Sequence, residues 1–477
     1  MFYKLNSQFI LRGWENVPYA VVKKNGGAKF IKEIEMRALQ LCNGKIDVSM
    51  PLVPKALREL LPYFEEKGVI VPCKQGDGIL AEQEYKRYPV RYIRRAHWSI
   101  TGKCNYRCKH CYMSAPEAKL GELDHDMVMS IVQQLADCGI QSVTLTGGEP
   151  LVRKDFLEIV DALLAAGICI DSIYSNGKLV TDALLEQLER RGIYPEFNIS
   201  YDGIDGWHDW LRGVPDAGKI AEDAFLRCKE RGFPTAAEMC LHQGNKHLVR
   251  ETVNCLSKHG CRSLKIGQIV SIGAWKENGA GGSLSSKELF QTFLDYIPYY
   301  YEDGMPLELQ LGGMFYATPL KPKEYWLPVL MNCQCLEKTY ICNHARMVMY
   351  ISAEGRVLPC LPLAGLDIQK EFPLISEMGL SRCISDSRYM RLLDTRATEI
   401  LEHNPECRTC KYVMQCLAGC RASALESAPD DILAPDLAAC TLFKGGWVEK
   451  TKAVMEKIAP TVRCTILDGS EGHIFDK

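Results

Sequence analysis

The chain carries almost no net charge: 57 Lys and Arg against 59 Asp and Glu over 477 residues leave −2. That removes the global electrostatic case for nucleic acid or an anionic membrane surface as a partner. It also lacks an apolar run of the roughly 18 residues that a membrane span needs. The longest candidate, 156–170, is interrupted by Glu158 and Asp161. The first residues, MFYKLNSQFILR, have neither a long apolar core nor a small-residue cleavage site, so no secretory signal is expected. Hydrophobic residues at 47% and charged residues at 24% describe an ordinary globular chain. Its length allows about three domains.

Cysteine is what the chain has in excess, with 22. Disulfide frameworks of that density belong to small exported domains. A large chain without an export signal is expected in the cytoplasm, where clustered thiols bind metal. Isolated cysteines such as Cys42, Cys138, Cys169 and Cys255 read instead as small buried apolar residues.

Residues 1–90 read as a separate module. LNSQFILRGW and YAVVKK pair as a hairpin; Ile31, Ile34, Ala38 and Leu41 share a helical face, with Gly44 just beyond it. Leu57, Leu60, Leu61 and Phe64 have helical spacing, but Pro62 interrupts them, so two short helices are expected. The strand GVIVPC closes a winged-helix-like domain, and 74–95 reads as a charged, tyrosine-rich linker. From 96 to 270 short apolar runs alternate with helical faces, among them Val128, Ile131, Val132, Leu135 and Phe156, Ile159, Val160, Leu163. Alternation of this kind makes a parallel sheet with right-handed crossovers. The six runs AHWSI, QSVTLT, CIDSIY, PEFNIS, TAAEMCL and SLKIGQIV are too few for a closed eightfold barrel, so an open partial (β/α)6 barrel is expected over 91–310. Cysteines crowd again in 311–445, where periodicity is weak and metal rather than an apolar core is expected to organise the chain. A helix and a mobile tail follow in 446–477.

Chemistry in such barrels gathers at the C-terminal ends of strands. The first strand runs directly into TGKCNYRCKHCY, which places Cys104, Cys108 and Cys111 on one loop. The second ends in TGGEP, with Gly147, Gly148 and Glu149. The third ends in Ser175, Asn176 and Gly177, and the fourth in SYDGIDGWHDWLRG, with Asp202, Asp209 and Arg212. Glycines let a ligand approach the backbone, and Glu149 offers an acceptor for an amino group. A tight turn is the plainer reading of GGEP alone. Downstream, Cys407, Cys410, Cys416 and Cys420 follow a C-x2-C-x5-C-x3-C pattern, with Cys342, Cys360 and Cys440 around them. Zinc ribbons, four-cysteine sites that staple a small domain, are the structural alternative.

In these motifs the chain resembles the radical S-adenosylmethionine superfamily: CNYRCKHCY resembles its cluster loop and TGGEP its amino-group motif, in order over about 96–270. The resemblance implies a four-iron, four-sulfur cluster on Cys104, Cys108 and Cys111, with S-adenosylmethionine chelating the open iron and giving a 5′-deoxyadenosyl radical on reduction. It implies contacts to the cofactor's amino group from Gly147, Gly148 and Glu149, to its carboxylate or ribose from Ser175 and Arg212, and ribose and adenine contacts from Asn176 and Tyr112. The C-terminal pattern resembles the SPASM domain, with two auxiliary 4Fe–4S clusters. By that resemblance one uses Cys407, Cys410, Cys416 and Cys440. The other uses Cys342, Cys360 and Cys420 with an upstream ligand, Cys335 or, as the alternative, Cys333. Sulfatase-maturing members carry an aspartate after the cysteine matching Cys360; Leu361 stands there, which counts against that activity.

The N-terminal module is similar to the leader-recognition element of enzymes that modify ribosomally made peptides, which adds a leader peptide as a strand to a sheet edge. The function so implied is a radical peptide maturase that installs a crosslink, a thioether before other bonds, in a precursor peptide. Its electrons would come from a donor such as flavodoxin or ferredoxin. Carbon–carbon crosslinking, epimerisation, a dehydrogenase of protein side chains or small molecules, and a non-enzymatic iron–sulfur sensor remain as alternatives. No catalytic acid or base is identified, and no nucleic acid or membrane partner is expected.

Overall fold

The computed structural model describes residues 1–24, 27–115, 118–119, 121–277, 282–327 and 336–466. Its contacts fall into two units, one holding Met1–Ile93 with Asp137–Ile140, the other Arg94–Ala136 with the described residues from Gln141 to Ile466.

In the first unit β1 (Phe2–Leu5) is followed by β2 (Phe9–Gly13), β3 (Ala20–Lys23) and β4 (Ala28–Phe30). Helices Glu33–Gln40, Lys55–Arg58 and Leu61–Glu66 lead to β5 (Ile70–Cys73), which pairs antiparallel with β1. The expected hairpin is β2–β3, in register Phe9 to Lys23. Pro62 sits in the first turn of its helix, where a missing N–H costs nothing. Alternate residues of β2, Phe9, Leu11 and Gly13, face a core that includes Leu5, Met36, Leu39, Leu61, Phe64 and Ile70.

Two expectations need correction here. The first helix buries Met36, Ala38 and Leu39 while Ile34 is 41% exposed, because Ala28–Phe30 pair with β3 and delay the helix to Glu33. Residues 74–95 are more than a linker: β6 (Lys86–Arg87) pairs parallel with β2. Buried Gln83 donates to the carbonyls of Asn6 (2.9 Å) and Phe9 (3.0 Å). A polar residue that satisfies buried carbonyls looks like linker composition in one dimension.

The second unit is built on β7 (Arg95–Ser99), β8 (Ser142–Thr146), β9 (Cys169–Ser175), β10 (Glu196–Ser200), β11 (Thr235–Leu241) and β12 (Ser263–Gln268). These match the six expected strands. They pair in sequential order, all parallel, and the sheet is open. The helices His125–Asp137 and Phe156–Ala165 bury the two predicted apolar faces. The sheet continues past the sixth strand through β13 (Glu308–Leu311), β14 (Phe315–Ala317) and β15 (Glu324–Leu327). At the other edge β16 (Val348–Ile351) joins β7 in parallel and β17 (Val357–Leu358) joins β16. The C-terminal segment adds helix Trp447–Ile458 and β18 (Arg463–Ile466), which pairs with β15; the rest of the expected tail lies outside the described residues. The cysteine-rich region also has an apolar core, contrary to expectation. Leu363, Leu380, Cys383 and Tyr389 are fully buried, among helices too short to show periodicity.

Candidate functional site

The cysteine loop leaves β7 at Ile100 and is laced to the neighbouring strand ends. Thr101 Oγ1 and the Gly102 N–H donate to Glu122, both at 2.8 Å. The Gly148 N–H donates to the Thr101 carbonyl and the Glu149 N–H to that of Lys103, each at 2.9 Å. A Cβ at Gly147 would lie 2.4 Å from the Thr101 oxygen, and one at Gly148 would lie 2.3 Å from that of Lys103. The two glycines thus let the end of β8 press against the loop's entry. Further along, the Lys109 N–H donates to the Leu211 carbonyl (2.8 Å) and the Ala274 N–H to that of Cys111 (2.9 Å).

Glu149 is fully buried and accepts from the Leu151 N–H (3.2 Å), Ser175 Oγ (3.1 Å) and the Asn176 N–H (2.8 Å). Burial pushes its carboxyl up from 4.5 to about 7. Its side chain therefore braces the end of β8 to that of β9, a role the sequence does not announce. Asn176 reaches the cysteine loop directly, donating to Asn105 Oδ1 at 2.7 Å. Arg212, 9% exposed, donates from Nε to Asp202 at 2.7 Å and extends Nη1 to Cys108 Sγ at 3.8 Å. Burial alone would raise the Asp202 carboxyl, but the guanidinium outweighs it and holds it well below the usual range. Tyr112 stands apart from these groups: its hydroxyl lies 3.3 Å from that of Tyr350, which in turn meets Ser99 Oγ at 2.7 Å.

The three loop thiols interact electrostatically. Burial raises Cys104 to about 12, with Cys108 and Cys111 adding to the effect. Burial also raises Cys108, against the pull of Arg212. Such thiols are poor free nucleophiles and need a cationic ligand to become thiolates. Beside them lie buried polar atoms without a protein partner, His110 Nδ1 and His242 Nε2. Burial lowers His110 to about 3, so its ring is neutral.

The downstream cysteines separate into two groups. Cys360 interacts with Cys420 and Cys342, and burial raises its thiol. Cys416 interacts with Cys440 and Cys407, and Cys440 with Cys407 and Cys410. The last four thiols line a cavity of about 390 Å³. Among the described residues no three cysteine sulfurs lie within 4.8 Å of one another. A single tetrahedral zinc, with Zn–S of about 2.3 Å, would hold them about 3.8 Å apart. The wider spacing and the cavity fit a cluster better than one ion. Cys333 and Cys335 lie outside the described residues.

Two polar hubs hold this region. Asp436 accepts from the N–H groups of Cys420 (3.0 Å), Ala438 (2.9 Å) and Ala439 (3.1 Å) and from Ser423 Oγ (2.8 Å). Buried Arg421 donates to the carbonyls of Ile432, Ala434, Ala418 and Gly419. In the barrel Arg153 plays a similar part, donating to the carbonyls of Ile100 (2.8 Å) and Leu123 (2.9 Å) and to Asp155. Sequence reasoning missed Glu122, Arg153 and Asp436. Only Arg153, three residues beyond GGEP, stands near a motif.

The Radical SAM superfamily signature matches residues 98–256. A probable GTP 3′,8-cyclase from Methanothermobacter thermautotrophicus is 33% identical over 274 residues, covering 55% of this chain and 82% of that protein. The chain belongs to the radical SAM superfamily, whose enzymes use S-adenosylmethionine with a four-iron, four-sulfur cluster. It is also 25% identical over 263 residues to the sporulation killing factor maturation protein SkfB of Bacillus subtilis, a match spanning 55% of this chain and 58% of SkfB. In fold it is similar to Streptococcus suis SuiB bound to the precursor peptide SuiA, with a TM-score of 0.64, 14% identity, and coverage of 92% of this chain and 100% of that one.

Proposed function

We propose that the protein is a peptide maturase that takes a hydrogen atom from a ribosomally made precursor and closes a crosslink, with a thioether as the bond formed. The observation that carries this reading is the extent of the likeness to peptide-bound SuiB. At 92% of the chain, it must include much of the N-terminal unit as well as the barrel. The relationship to SkfB, itself named for maturation of the sporulation killing factor, supports it.

Cys104, Cys108 and Cys111 would hold the cluster to which S-adenosylmethionine binds. When bound, this pair supplies the one-electron chemistry that removes hydrogen from an unactivated carbon. The chain's own groups do the positioning. Arg212, fixed by Asp202, places a buried positive charge beside Cys108 and would favour its thiolate and the cofactor's carboxylate. Gly147 and Gly148 keep the backbone at the end of β8 open to the amino group, while Glu149, Ser175 and Asn176 hold that strand end rigid. His110 and His242 offer unpaired ring nitrogens to a bound nucleoside. Cys407, Cys410, Cys416 and Cys440 would hold one auxiliary cluster. Cys342, Cys360 and Cys420, with Cys335 or Cys333, would hold the other. These would take up the leftover electron, and an external donor such as flavodoxin or ferredoxin would supply the first one.

The leader would add to β4, an edge strand of the order β4-β3-β2-β6, beside Phe30 (45% exposed) and Ile34 (41% exposed). The test is to incubate anaerobically reconstituted enzyme with S-adenosylmethionine, dithionite and the short cysteine-containing peptides encoded beside its gene. A peptide mass lower by two hydrogens, with 5′-deoxyadenosine formed, is the expected result. Cofactor cleavage that leaves every such peptide unchanged would remove the peptide reading. Phe30→Asp should weaken peptide binding about tenfold or more; a small-molecule dehydrogenase would be indifferent to it.

A further inference from the structure

Cys255 and His259 lie one helical turn apart at the end of helix Val249–Lys258, so their side chains share a face. Glu222, on helix Ala217–Glu230, faces them. One ligand atom from each of the three residues lies within 4.8 Å of the others. Cys255 Sγ is 3.6 Å from Glu222 Oε1, and His259 Nε2 is 3.8 Å from Glu222 Oε2. None of these residues belongs to the cysteine groups above, and the sequence reading of Cys255 as apolar filler does not hold: it is half-buried among polar partners.

We infer that Glu222, Cys255 and His259 form a site for a borderline divalent cation, zinc by the mixture of donors, that pins the two helices together. Bond lengths of about 2.0–2.3 Å give tetrahedral edges of about 3.3–3.8 Å; the Sγ–Oε1 and Nε2–Oε2 separations fall at that length, each to its own carboxylate oxygen, and Sγ also lies 3.6 Å from His259 Nδ1. The outer groups are oriented as metal sites require. His259 Nδ1 lies 2.8 Å from the Cys255 carbonyl. A carbonyl can only accept, so Nδ1 carries the hydrogen and Nε2 turns its lone pair to the carboxylate. A ligating histidine almost always donates its other N–H in this way. Tyr201 donates to Glu222 Oε1 at 2.5 Å and leaves Oε2 toward the imidazole. The 3.8 Å between Nε2 and Oε2 leaves room for a cation between them. Binding the metal releases the Cys255 thiol proton to solvent, and water fills the fourth position. Tyr201 directly precedes Asp202, so the metal would stiffen the strand end that holds Arg212.

The inference does not depend on the peptide reading. Cluster-loaded holoenzyme is incubated with excess zinc chloride and passed over a chelating resin, and zinc and iron are then counted per chain. The wild type is expected to retain one zinc, and Cys255→Ser and His259→Gln to lose it with iron content and far-ultraviolet dichroism unchanged. Zinc K-edge absorption should show a single sulfur neighbour at about 2.3 Å. A wild type that retains no zinc, variants that retain as much as the wild type, or zinc that enters only as iron leaves would each overturn the assignment.

Discussion

The barrel mouth and the cysteine-rich region both gather thiols, by opposite means. At the mouth, long parallel strands with fully buried residues such as Val143, Leu145 and Ile199 fix where each loop begins, and the loop is then tied down by neighbouring strand ends. Downstream, helices of four to eight residues cannot position anything alone. There the carboxylate of Asp436 and the guanidinium of Arg421 collect backbone groups that have no regular partner. A site on a scaffold can lose a polar brace and keep its shape. A site assembled by polar hubs and its own ligands should not.

Three substitutions break or sharpen that contrast. On the cluster assignment proposed above, Cys108→Ala should have the largest effect: 5′-deoxyadenosine formation falls roughly a thousandfold or more, and about four irons per chain are lost, while iron held by the downstream thiols remains. Chromatography of the nucleoside and iron counting check this; loss of nearly all iron would mean the two regions load together. Asp436→Ala comes next. It strands buried N–H groups and should cost about 3 kcal/mol, lowering the melting midpoint by several degrees and shedding downstream iron. Cofactor cleavage at the mouth should survive it.

Glu149→Gln is the mildest and is read through pH. Burial raises the carboxyl from 4.5 to about 7, so the folded state holds the proton that the unfolded state releases. The stability this gives is full below 4.5 and is lost as pH rises through 7. The stability difference between wild type and the glutamine variant, read from their melting midpoints, should therefore shrink between pH 5.5 and 7 by about 2 kcal/mol. Groups common to both proteins, such as Glu426, also raised to about 7, and His110, cancel in that difference.

The six-strand alternation and the two helical faces beginning at Val128 and Phe156 were legible because a long amphipathic element repeats its pattern many times. Gln83, Glu122 and Arg153 were not: each is one polar residue whose partners, backbone groups among them, are brought close by folding, and nothing in its neighbours marks it. By the resemblance Tyr112 is an adenine contact; its hydroxyl lies 3.3 Å from that of Tyr350, 238 residues away, a pairing that no local pattern records.

What the sequence determined by itself is local spacing. Three cysteines on one short loop after a strand converge wherever that loop goes, because the chain between them is too short to do otherwise. Tertiary structure decided which distant residues complete each site. Cys416 and Cys420 sit four apart, yet Leu417, Ala418 and Gly419 between them all take positive φ, and the chain turns so sharply that the two thiols join different groups. Glu222 meets Cys255 and His259 for the same reason: two helices joined through a buried strand bring their faces together, and no spacing along the chain records it.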